Sequence, residues 1–321
     1  MRRRPRAPAA YTHPVSARAQ LLWRILWLLM GLGVAHHGSA QELEPRAYSP
    51  SPTGLNFLIV SAAHSTGDVL FDPSVPLSNV DARMNASVAG YGHTFGMFDH
   101  LASVAIAVPY VWGDISGNVG NETDQRVAHR SGLGDAQFRF ALNLIGGPAL
   151  TPKEFAARTP QTTLGLSLTV VPPVGQYDST RLINIGSHRW AFKPQLGLSY
   201  PIGRWYLDGY AGAWFFTPND NFYGGVRREQ QPIETVQGHV SYTIRPRMWA
   251  AFDYTYYTGG RSSLDGVERD DRQSNSRVGI TLSLPAGRSQ SVKLLWSRGA
   301  AVRIGGDYTT YAVAWQYAWF D

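Results

Sequence analysis

The sequence has no cysteine, no second long apolar run and, beyond its first forty residues, no net charge. Without cysteine, disulfides, thiolate metal ligands and a lipid anchor on the processed N-terminus are excluded. The only apolar run lies between Leu21 and Ala35, and a helix spanning a bilayer needs about twenty apolar residues. The six arginines of residues 1–40 account for the formal excess of +6, so residues 41–321 are neutral. The basic isoelectric point is therefore no argument for nucleic-acid binding.

The first forty residues have the pattern of a secretory signal peptide. Arginines precede the apolar run, and Gly38-Ser39-Ala40 supplies the small residues of a cleavage site. The run has about the length of a signal core and is short for a spanning helix. We predict a signal peptide at 1–40 and a domain at 41–321, exported to the outer membrane of a Gram-negative cell. An uncleaved membrane anchor is the alternative.

After this segment, apolar and polar side chains alternate along stretches of about ten residues. Leu164, Leu166, Leu168 and Val170, for example, alternate with glycine, serine and threonine. A period of two places successive side chains on opposite faces of a strand. Strands average about five or six residues in soluble sheets, but need about nine to eleven to cross a membrane. The sequence therefore predicts an all-β fold, a transmembrane antiparallel up-and-down β-barrel of about twelve strands, near residues 54–64, 80–93, 100–112, 134–145, 161–171, 190–200, 205–216, 233–245, 247–258, 274–284, 290–298 and 308–319.

The connections between these strands are alternately short and long. Short ones include 94–99, 201–204 and 285–289, and long polar ones include 113–133 and 217–231. Outer-membrane barrels have short periplasmic turns and long external loops, so the predicted barrel has both termini in the periplasm. Residues 146–160 are long where a short turn is expected, and residues 153–158 within them are predicted to form a helical turn.

Aromatic side chains mark the ends of the predicted strands. Trp112, Trp190, Trp205, Trp249 and Trp319 all lie where a strand meets a connection. Tryptophan and tyrosine favour the membrane–water interface, since each has an apolar body and a polar tip. A soluble β-propeller is the alternative fold, but we find no internal repeat of blade length.

The polar side of the alternation predicts what lines the barrel interior. If the apolar side faces lipid, the other side faces the lumen, and Arg or Lys facing lipid at mid-membrane costs about 2–4 kcal/mol. We interpret the lumen either as filled by hydrogen-bonded side chains or as a narrow passage for a small solute. Because twelve strands enclose more space than side chains fill easily, a passage or an inward-folded loop that blocks one is expected. Asp208 is harder to assign, because both faces of its strand are apolar. The predicted lumen-lining residues are Arg83, Asn85, Gln137, Arg139, Asn143, Lys193, Gln195, His239, Asp253, Arg277 and Lys293.

Enzymatic and metal-binding functions have little support in the sequence. A hydrolase embedded in a barrel needs a histidine within reach of a serine and a third orienting group. The candidates are His64 with Ser65, and His239 with Ser241. The acidic stretch 265–271 is a possible calcium loop, but its spacing is not that of an EF-hand. We predict no catalytic residue, no metal site and no cofactor.

Two stretches resemble a known family. They are Glu44-Pro45-Arg46-Ala47-Tyr48-Ser49-Pro50, continuing through Pro52-Thr53-Gly54-Leu55-Asn56-Phe57, and Gly132-Leu133-Gly134-Asp135-Ala136-Gln137. Both are similar to the family named for the meta-pathway of phenol degradation, predicted outer-membrane proteins loosely related to hydrocarbon-uptake channels. The resemblance covers essentially the whole chain after the leader. It implies a barrel connected with aromatic catabolism and with passage of small aromatic or apolar molecules, and it transfers no catalytic residue.

The functional prediction is a passive outer-membrane channel for small, hydrophobic or aromatic compounds. Its partners would be outer-membrane lipids, the solute and, during insertion, the barrel-assembly machinery. Phe71, Tyr177, Phe222 and Tyr223 in the outer loops are candidate capture surfaces, or simply pack the loops together. The alternative function is a structural or adhesive barrel that acts through its external loops.

The C-terminus departs from the usual insertion signal. Barrels of this kind commonly end on an aromatic residue that completes an alternating apolar series. Here Tyr311, Val313, Trp315, Tyr317 and Trp319 form the series, but Asp321 holds the final position and Phe320 is out of phase. We expect this to reduce the efficiency of insertion.

Overall fold

A computed structural model describes residues 43–70, 77–119, 126–181 and 183–321. The predicted signal peptide and Phe71 lie outside these ranges. The elements are β1 Leu55–Leu70, β2 Leu77–Met97, β3 His100–Val119, β4 Arg126–Leu133, β5 Gln137–Ile145, α1 Pro152–Ala157, β6 Thr163–Val171, β7 Ala191–Ile202, β8 Trp205–Phe216, β9 Asn219–Phe222, a 3-10 turn Tyr223–Gly225, β10 Val226–Gln230, β11 Ile233–Arg245, β12 Met248–Gly259, β13 Ser262–Leu264, β14 Val267–Glu268, β15 Gln273–Pro285, β16 Gln290–Ala301 and β17 Gly305–Phe320.

The long strands close into one antiparallel barrel. β1 pairs on one side with β2 and on the other with β17, from Leu55 opposite Phe320 to Leu70 opposite Gly305. β4 and β5 pair with successive parts of β3 and together act as one strand of the wall. Counted this way, twelve strands form the barrel, and the predicted architecture is confirmed.

The alternation in the sequence turns apolar side chains outward and polar side chains inward. In β6, Leu166 is 45% exposed and Leu168 42% exposed, whereas Thr163, Ser167 and Thr169 are buried. A soluble protein would bury the leucines, because burial of apolar area is the main driving force of folding in water. A barrel whose large apolar side chains cover its outside is adapted to lipid.

Most strand ends lie within a few residues of their predicted positions, but the outer loops contain more structure than expected. β1, β2 and β3 have 16, 21 and 20 residues, so they extend well beyond the about nine to eleven that span a bilayer. The predicted strand 134–145 begins instead at Gln137, and β4 occupies part of the predicted loop before it. β9, β10, β13 and β14 form a separate small sheet in the outer loops.

The predicted helical turn is confirmed as α1. Thr151 caps its N-terminus in a capping box, in which its side chain accepts from the Glu154 amide and Glu154 accepts from the Thr151 amide. The hydrogen bonds from Thr151 lower the pKa of Glu154 below its usual value. Phe155 is buried, and its neighbourhood includes Pro50 and Tyr206. The connection that carries α1 thus lies against the end of the barrel that carries the short turn between β7 and β8. None of the helices in the described ranges has the length or apolarity to cross a bilayer.

The unusual C-terminus contributes to the closing seam of the barrel. The Asp321 carboxylate accepts from the Asn56 side-chain amide at 2.6 Å, and its backbone N–H donates to the Gly54 carbonyl. Phe320 faces inward and packs on the buried cluster of Leu55, Phe57, Ile59, Ala314 and Ala318. The two residues that break the predicted series therefore hold β17 to β1.

Candidate functional site: the lumen and its N-terminal segment

Residues 43–53, which we name the plug, lie inside the barrel ahead of β1. They turn tightly at Glu44–Ala47, where Arg46 has a φ of 64°. Most of the plug is buried, although it contains no strand or helix. Residues 43–48 contact inward-facing side chains of the wall, whereas the Thr53 N–H donates to the Leu150 carbonyl in the connection before α1.

Arg46 is the most extensively bonded residue of the plug. Its Nε donates to Ser241 at 2.8 Å, its Nη2 donates to Thr243 at 2.9 Å, and its backbone N–H donates to the Asp208 carboxylate at 3.2 Å. The guanidinium also lies over the rings of Tyr206 and Trp249, at 4.4 and 4.7 Å from their centroids. A buried arginine needs such partners, since an unsatisfied buried charge is costly. Arg46 therefore anchors the plug to β8, β11 and β12.

Tyr48 fits a notch formed by two glycines. Its side chain is 1% exposed, and its hydroxyl lies 2.7 Å from the Ser167 hydroxyl and 3.1 Å from the Gln195 side-chain oxygen. Gly165 and Gly197 face each other on β6 and β7, and a Cβ at either would overlap the Tyr48 ring. Glycine at these two positions is therefore what admits the ring.

The plug makes further contacts on either side of Tyr48. Glu44 forms an ion pair with Arg139 of β5 at 3.1 Å, with both side chains largely buried. Leu43 lies against Gly279 of β15, where a Cβ would meet the leucine side chain. The Ala47 N–H donates to the Tyr210 hydroxyl at 3.0 Å. The plug is thus held by strands from β5 round to β15.

The inward-facing side chains of these strands are mostly polar and hydrogen-bonded to one another, and we name them the polar wall. Its centre is His239 of β11, whose Nδ1 lies 2.7 Å from Asp253 and whose Nε2 lies 3.2 Å from Gln237. Thr281 donates to the other Asp253 oxygen at 2.7 Å. Both oxygens of the Asp253 carboxylate thus have partners, and buried polar groups bonded in this way are rigid. The polar wall comprises Arg139, Asn143, Ser167, Lys193, Gln195, Asp208, Gln237, His239, Ser241, Asp253, Thr255, Arg277 and Thr281.

The opposite side of the lumen, which we name the apolar wall, is formed by β1, β2, β3 and β17. Ser61 and Gln316 are polar members of it. Between this wall and the plug lies a cavity of about 60 Å³, bordered by Leu55, Phe57 and Leu101 on the wall side. Residues 44–48 of the plug therefore bond to the polar wall, whereas the Pro52 carbonyl accepts from Thr94 of β2, and the gap lies between the plug and the apolar side chains. The apolar wall comprises Leu55, Phe57, Ile59, Val88, Leu101, Val111, Ala314 and Ala318.

A comparison with known protein families identifies the family of this chain. The family model described as "Putative MetA-pathway of phenol degradation" matches residues 63–319, which is most of the sequence. The chain belongs to this family. The match begins within β1, so the plug precedes the matched region.

Solved structures agree on the fold. An outer membrane channel from Pseudomonas putida F1 is similar with a TM-score of 0.73 at 21% identity, over 86% of this chain and 99% of that one. The β domain of the Bordetella autotransporter BrkA is similar with a TM-score of 0.50 at 8% identity, over 83% of this chain and 100% of that one. At such identities the likeness establishes the barrel fold alone. A comparison with curated proteins gives no match.

In this family member, most of the predicted lumen residues do face the interior. Arg139 meets the plug, and Lys293 lies over the Trp249 ring that also contacts Arg46. The inward-facing predicted residues are Gln137, Arg139, Asn143, Lys193, Gln195, His239, Asp253, Arg277 and Lys293. Asp208, which the sequence left unassigned, is also buried inside.

The predicted lumen position of Arg83 is wrong. Its side chain is 75% exposed and lies 3.7 Å from Asp81. In β2 the even-numbered residues face inward, as the buried Ala82 and Val88 show, so the odd-numbered Arg83 faces outward. Arg83 is near the outer end of a 21-residue strand, where an outward charge meets water and has no lipid penalty. Asn85 borders an interior cavity, but its side-chain oxygen bonds to His64 at 2.9 Å on the outward-facing side.

The residues that suggested hydrolase or metal chemistry are bonded in other ways. His239 directs its Nε2 to Gln237, while Ser241 accepts from Arg46, so the two do not form a base–nucleophile pair. In the acidic stretch, Asp270 pairs with Arg303, and Asp271 accepts from Ser262. Over the described ranges no group of three or more acidic or histidine side chains is placed to hold a metal ion.

The outer-loop aromatics pack the loops together in part. Tyr177 stacks on His188 at 4.7 Å and donates its hydroxyl to the Asn221 carbonyl. Phe222 lies under the Arg228 guanidinium. Tyr223 is exposed, so it alone of the described candidates presents a free ring face. The sequence predicts a passage or an inward-folded segment but does not identify residues 43–53 as that segment, although the glycine pair at 165 and 197 is a signal of a close approach by another group.

Proposed function

We propose that the protein is a passive outer-membrane channel for small hydrophobic or aromatic compounds, and that the plug keeps it closed in this conformation. The observation that carries the proposal is the two-sided lumen, in which an apolar wall faces a polar wall across the plug. A solute with an apolar body and a polar group matches such a lumen on both sides. The family description, which refers to phenol degradation, supports the same class of solute.

The size of the barrel agrees with a selective passage. About eight strands close round a core filled by side chains, whereas general porins use about sixteen to eighteen. With twelve wall strands, the lumen is wider than its own side chains fill, and here the plug occupies part of the space that they leave. The Pseudomonas putida F1 structure of the same fold is described as a channel.

Removing the notch for Tyr48 tests the proposal. Gly197→Ala places a Cβ in the Tyr48 ring, so we expect the plug to be displaced and conductance to rise in planar bilayers, by on the order of tenfold. Gly209→Ala is the matched control on the neighbouring strand, because a Cβ there meets nothing within 4 Å. The control should conduct like the unmodified protein.

Uptake measurements complete the test. Liposomes that contain Gly197→Ala should take up benzyl alcohol and phenol faster than liposomes with the control. If neither protein conducts and neither speeds uptake, the channel proposal is wrong.

An adhesive function has one observation in its favour. The outer loops fold into the sheet of β9, β10, β13 and β14, with Tyr223 and Val267 exposed on it. A contiguous apolar patch on an ordered surface is typical of an interaction site, whereas single exposed apolar side chains are common on protein surfaces. The bilayer experiment separates the two functions, because adhesion predicts no change in conductance for Gly197→Ala.

A further inference from the structure

Two glutamines in the lumen are equally buried but differ in their hydrogen bonding. Gln237 on the polar wall and Gln316 on the apolar wall are both 3% exposed. The side-chain oxygen of Gln237 lies 3.2 Å from Nε2 of His239. In contrast, neither Nε2 nor Oε1 of Gln316 has a hydrogen-bond partner within the described part of the chain. A buried amide without a partner lowers stability, because it has lost its hydrogen bonds to water.

The immediate neighbours of Gln316 are apolar. On β17 it lies between the inward-facing Ala314 and Ala318, and across the seam it is paired with Ile59 of β1. All three neighbours belong to the buried apolar cluster at this seam. Their side chains can neither donate nor accept a hydrogen bond. One amide thus interrupts an interior surface that is otherwise apolar.

A hydroxyl without a partner lies beside this amide. Ser291 of β16 is paired directly opposite Gln316, faces inward and is 6% exposed. Its Oγ also lacks a hydrogen-bond partner among the described residues. Residues directly opposite each other on antiparallel strands have Cβ atoms about 4.5–5.5 Å apart. Gln316 and Ser291 therefore present unbonded polar groups on one small area of the interior, which we name the polar spot.

The plug covers the polar spot without bonding to it. The cavity of about 60 Å³ between the plug and the apolar wall is bordered by Gln316 on the wall side and by Tyr48 and Ser49 on the plug side. The Oγ of Ser49 is likewise buried without a partner among the described residues. A cavity of about 150 Å³ binds benzene, so this one is too small for an aromatic solute until the plug moves. Displacement of the plug would enlarge the cavity at Gln316.

A hydroxyl is the solute group that matches the polar spot. An amide side chain offers both donors and an acceptor, and a hydroxyl both donates and accepts. A hydrocarbon would leave the amide unsatisfied, whereas a carboxylate would lose its water without gaining a free cation. Lys293, two residues along β16 from Ser291, lies over the Trp249 ring and is already under the influence of the Glu44 and Asp253 carboxylates.

We propose that Gln316, together with Ser291, binds the hydroxyl of a small neutral solute with an apolar body, such as an aromatic alcohol, once the plug is displaced. The apolar body lies against Leu55, Phe57 and Leu101, which border the same cavity. The assignment rests on the proposed function, since it names the class of solute that the channel selects. Because this amide gains its partner only when the solute is bound, the solute itself favours the conformation with the plug displaced.

Unfolding in urea tests whether the Gln316 amide lacks a partner. Leucine is close to glutamine in size and has no polar side-chain atom, so Gln316→Leu should move the urea midpoint to a higher concentration. Gln237→Leu is the matched control, because it removes the contact with His239 and should move the midpoint to a lower concentration. If Gln316→Leu lowers the midpoint or leaves it unchanged, the amide is already bonded and the proposed site is wrong.

Equilibrium dialysis of the Gly197→Ala variant in detergent tests the class of solute. Benzyl alcohol has a ring and a hydroxyl, toluene has the ring without the hydroxyl, and benzoate has the ring with a charge. The same dialysis with Gly209→Ala, in which the plug should stay in place, measures uptake by the detergent and is subtracted. We expect saturable binding of benzyl alcohol that is at least about tenfold tighter than the binding of toluene or benzoate.

Substitutions in the Gly197→Ala background locate the hydroxyl. Gln316→Leu should weaken the binding of benzyl alcohol about tenfold and abolish its advantage over toluene. Gln137→Leu is the matched control, because Gln137 also faces inward, on β5, but does not border the cavity. It should leave the preference for benzyl alcohol unchanged. A gel shift on heating shows that each variant is folded.

The outcomes separate the site from the channel. The site is wrong if Gly197→Ala shows no saturable binding of benzyl alcohol, binds toluene equally well, or keeps its preference when Gln316→Leu is added. If benzyl alcohol binds as expected but Gly197→Ala does not conduct in planar bilayers, the channel function fails and the site stands. If Gly197→Ala conducts and does not prefer benzyl alcohol, the site alone is wrong.

Discussion

The polar and apolar walls of one lumen are stabilised in different ways. On the polar wall, Asp253 is 0% exposed and accepts from both His239 and Thr281. On the apolar wall, the Phe57 ring packs over Gly92, where a Cβ would overlap it. Hydrogen bonds fix positions, whereas apolar contact fixes volume. A segment or solute that needs a defined orientation is therefore held by the polar wall and only bordered by the apolar one.

The plug illustrates this difference. The side-chain hydrogen bonds described above for its residues 44–48 all go to the polar wall or its immediate neighbours on β5, β6, β7, β8 and β11. A gap of about 60 Å³ remains on the apolar side. Substitutions on the polar wall should therefore weaken the binding of the plug. Substitutions on the apolar wall should mainly lower the free energy of unfolding of the barrel.

The largest expected effect comes from the apolar wall. Phe57→Ala should lower the free energy of unfolding by about 3–5 kcal/mol, because a buried ring is replaced by a cavity. The measurement is urea unfolding of the barrel in lipid vesicles. Phe252→Ala is the control, since that ring is 55% exposed on the outer face and lipid fills the space it leaves. It should cost only the transfer of the ring from water, about 1.5–3 kcal/mol. Equal costs would show that Phe57 is not packed.

A smaller loss of stability is expected on the polar wall. Asp253→Ala leaves two buried donors, on His239 and Thr281, without their acceptor, so we expect a loss of about 2–3 kcal/mol in the same unfolding experiment. Asp220→Ala removes an exposed pair with Arg227 instead, and should cost less than about 1 kcal/mol. A loss at Asp253 no larger than at Asp220 would mean that the polar wall is hydrated rather than bonded.

The smallest expected effect is on ion selectivity. In the Gly197→Ala background, Arg139→Glu reverses a charge on the polar wall and should shift the anion-to-cation permeability ratio by on the order of a few-fold. The reversal potential in a salt gradient measures it. Arg83→Glu is the control, because Arg83 faces outward. If the permeability ratio shifts equally in both variants, the effect does not depend on a charge that faces the lumen, and Arg139 does not line the passage.

The sequence predicts the barrel well because lipid and lumen impose the same alternation along every strand. Leu166 and Lys193 could be assigned to their faces from local pattern alone. Arg83 could not, since beyond the lipid both faces of a strand tolerate charge and the pattern loses its meaning. The division of one predicted strand at Gly134–Ala136 was likewise hidden, because it depends on how the β6–β7 connection bonds to Asp135.

The candidate site is predictable only in part. The inward position of charged residues such as Asp253 and Arg277 can be predicted from the alternation of apolar and polar residues in their strands. The plug does not, because its position depends on long-range contacts between Tyr48 and glycines more than a hundred residues later. No local pattern in 43–53 says whether these turn-forming residues lie in solvent or inside a barrel.

The hydrogen bond between Asn56 and Asp321 joins residues 265 positions apart. The seam can form only after all the strands between these two residues have been made, and its closure confines them in one loop. The plug, which lies just before that seam, must either be enclosed as the wall wraps round it or be threaded later past α1. The hydrogen bond of Asp321 therefore belongs to the step that closes the barrel, and the timing of that step relative to the folding of the plug decides whether the plug is already inside.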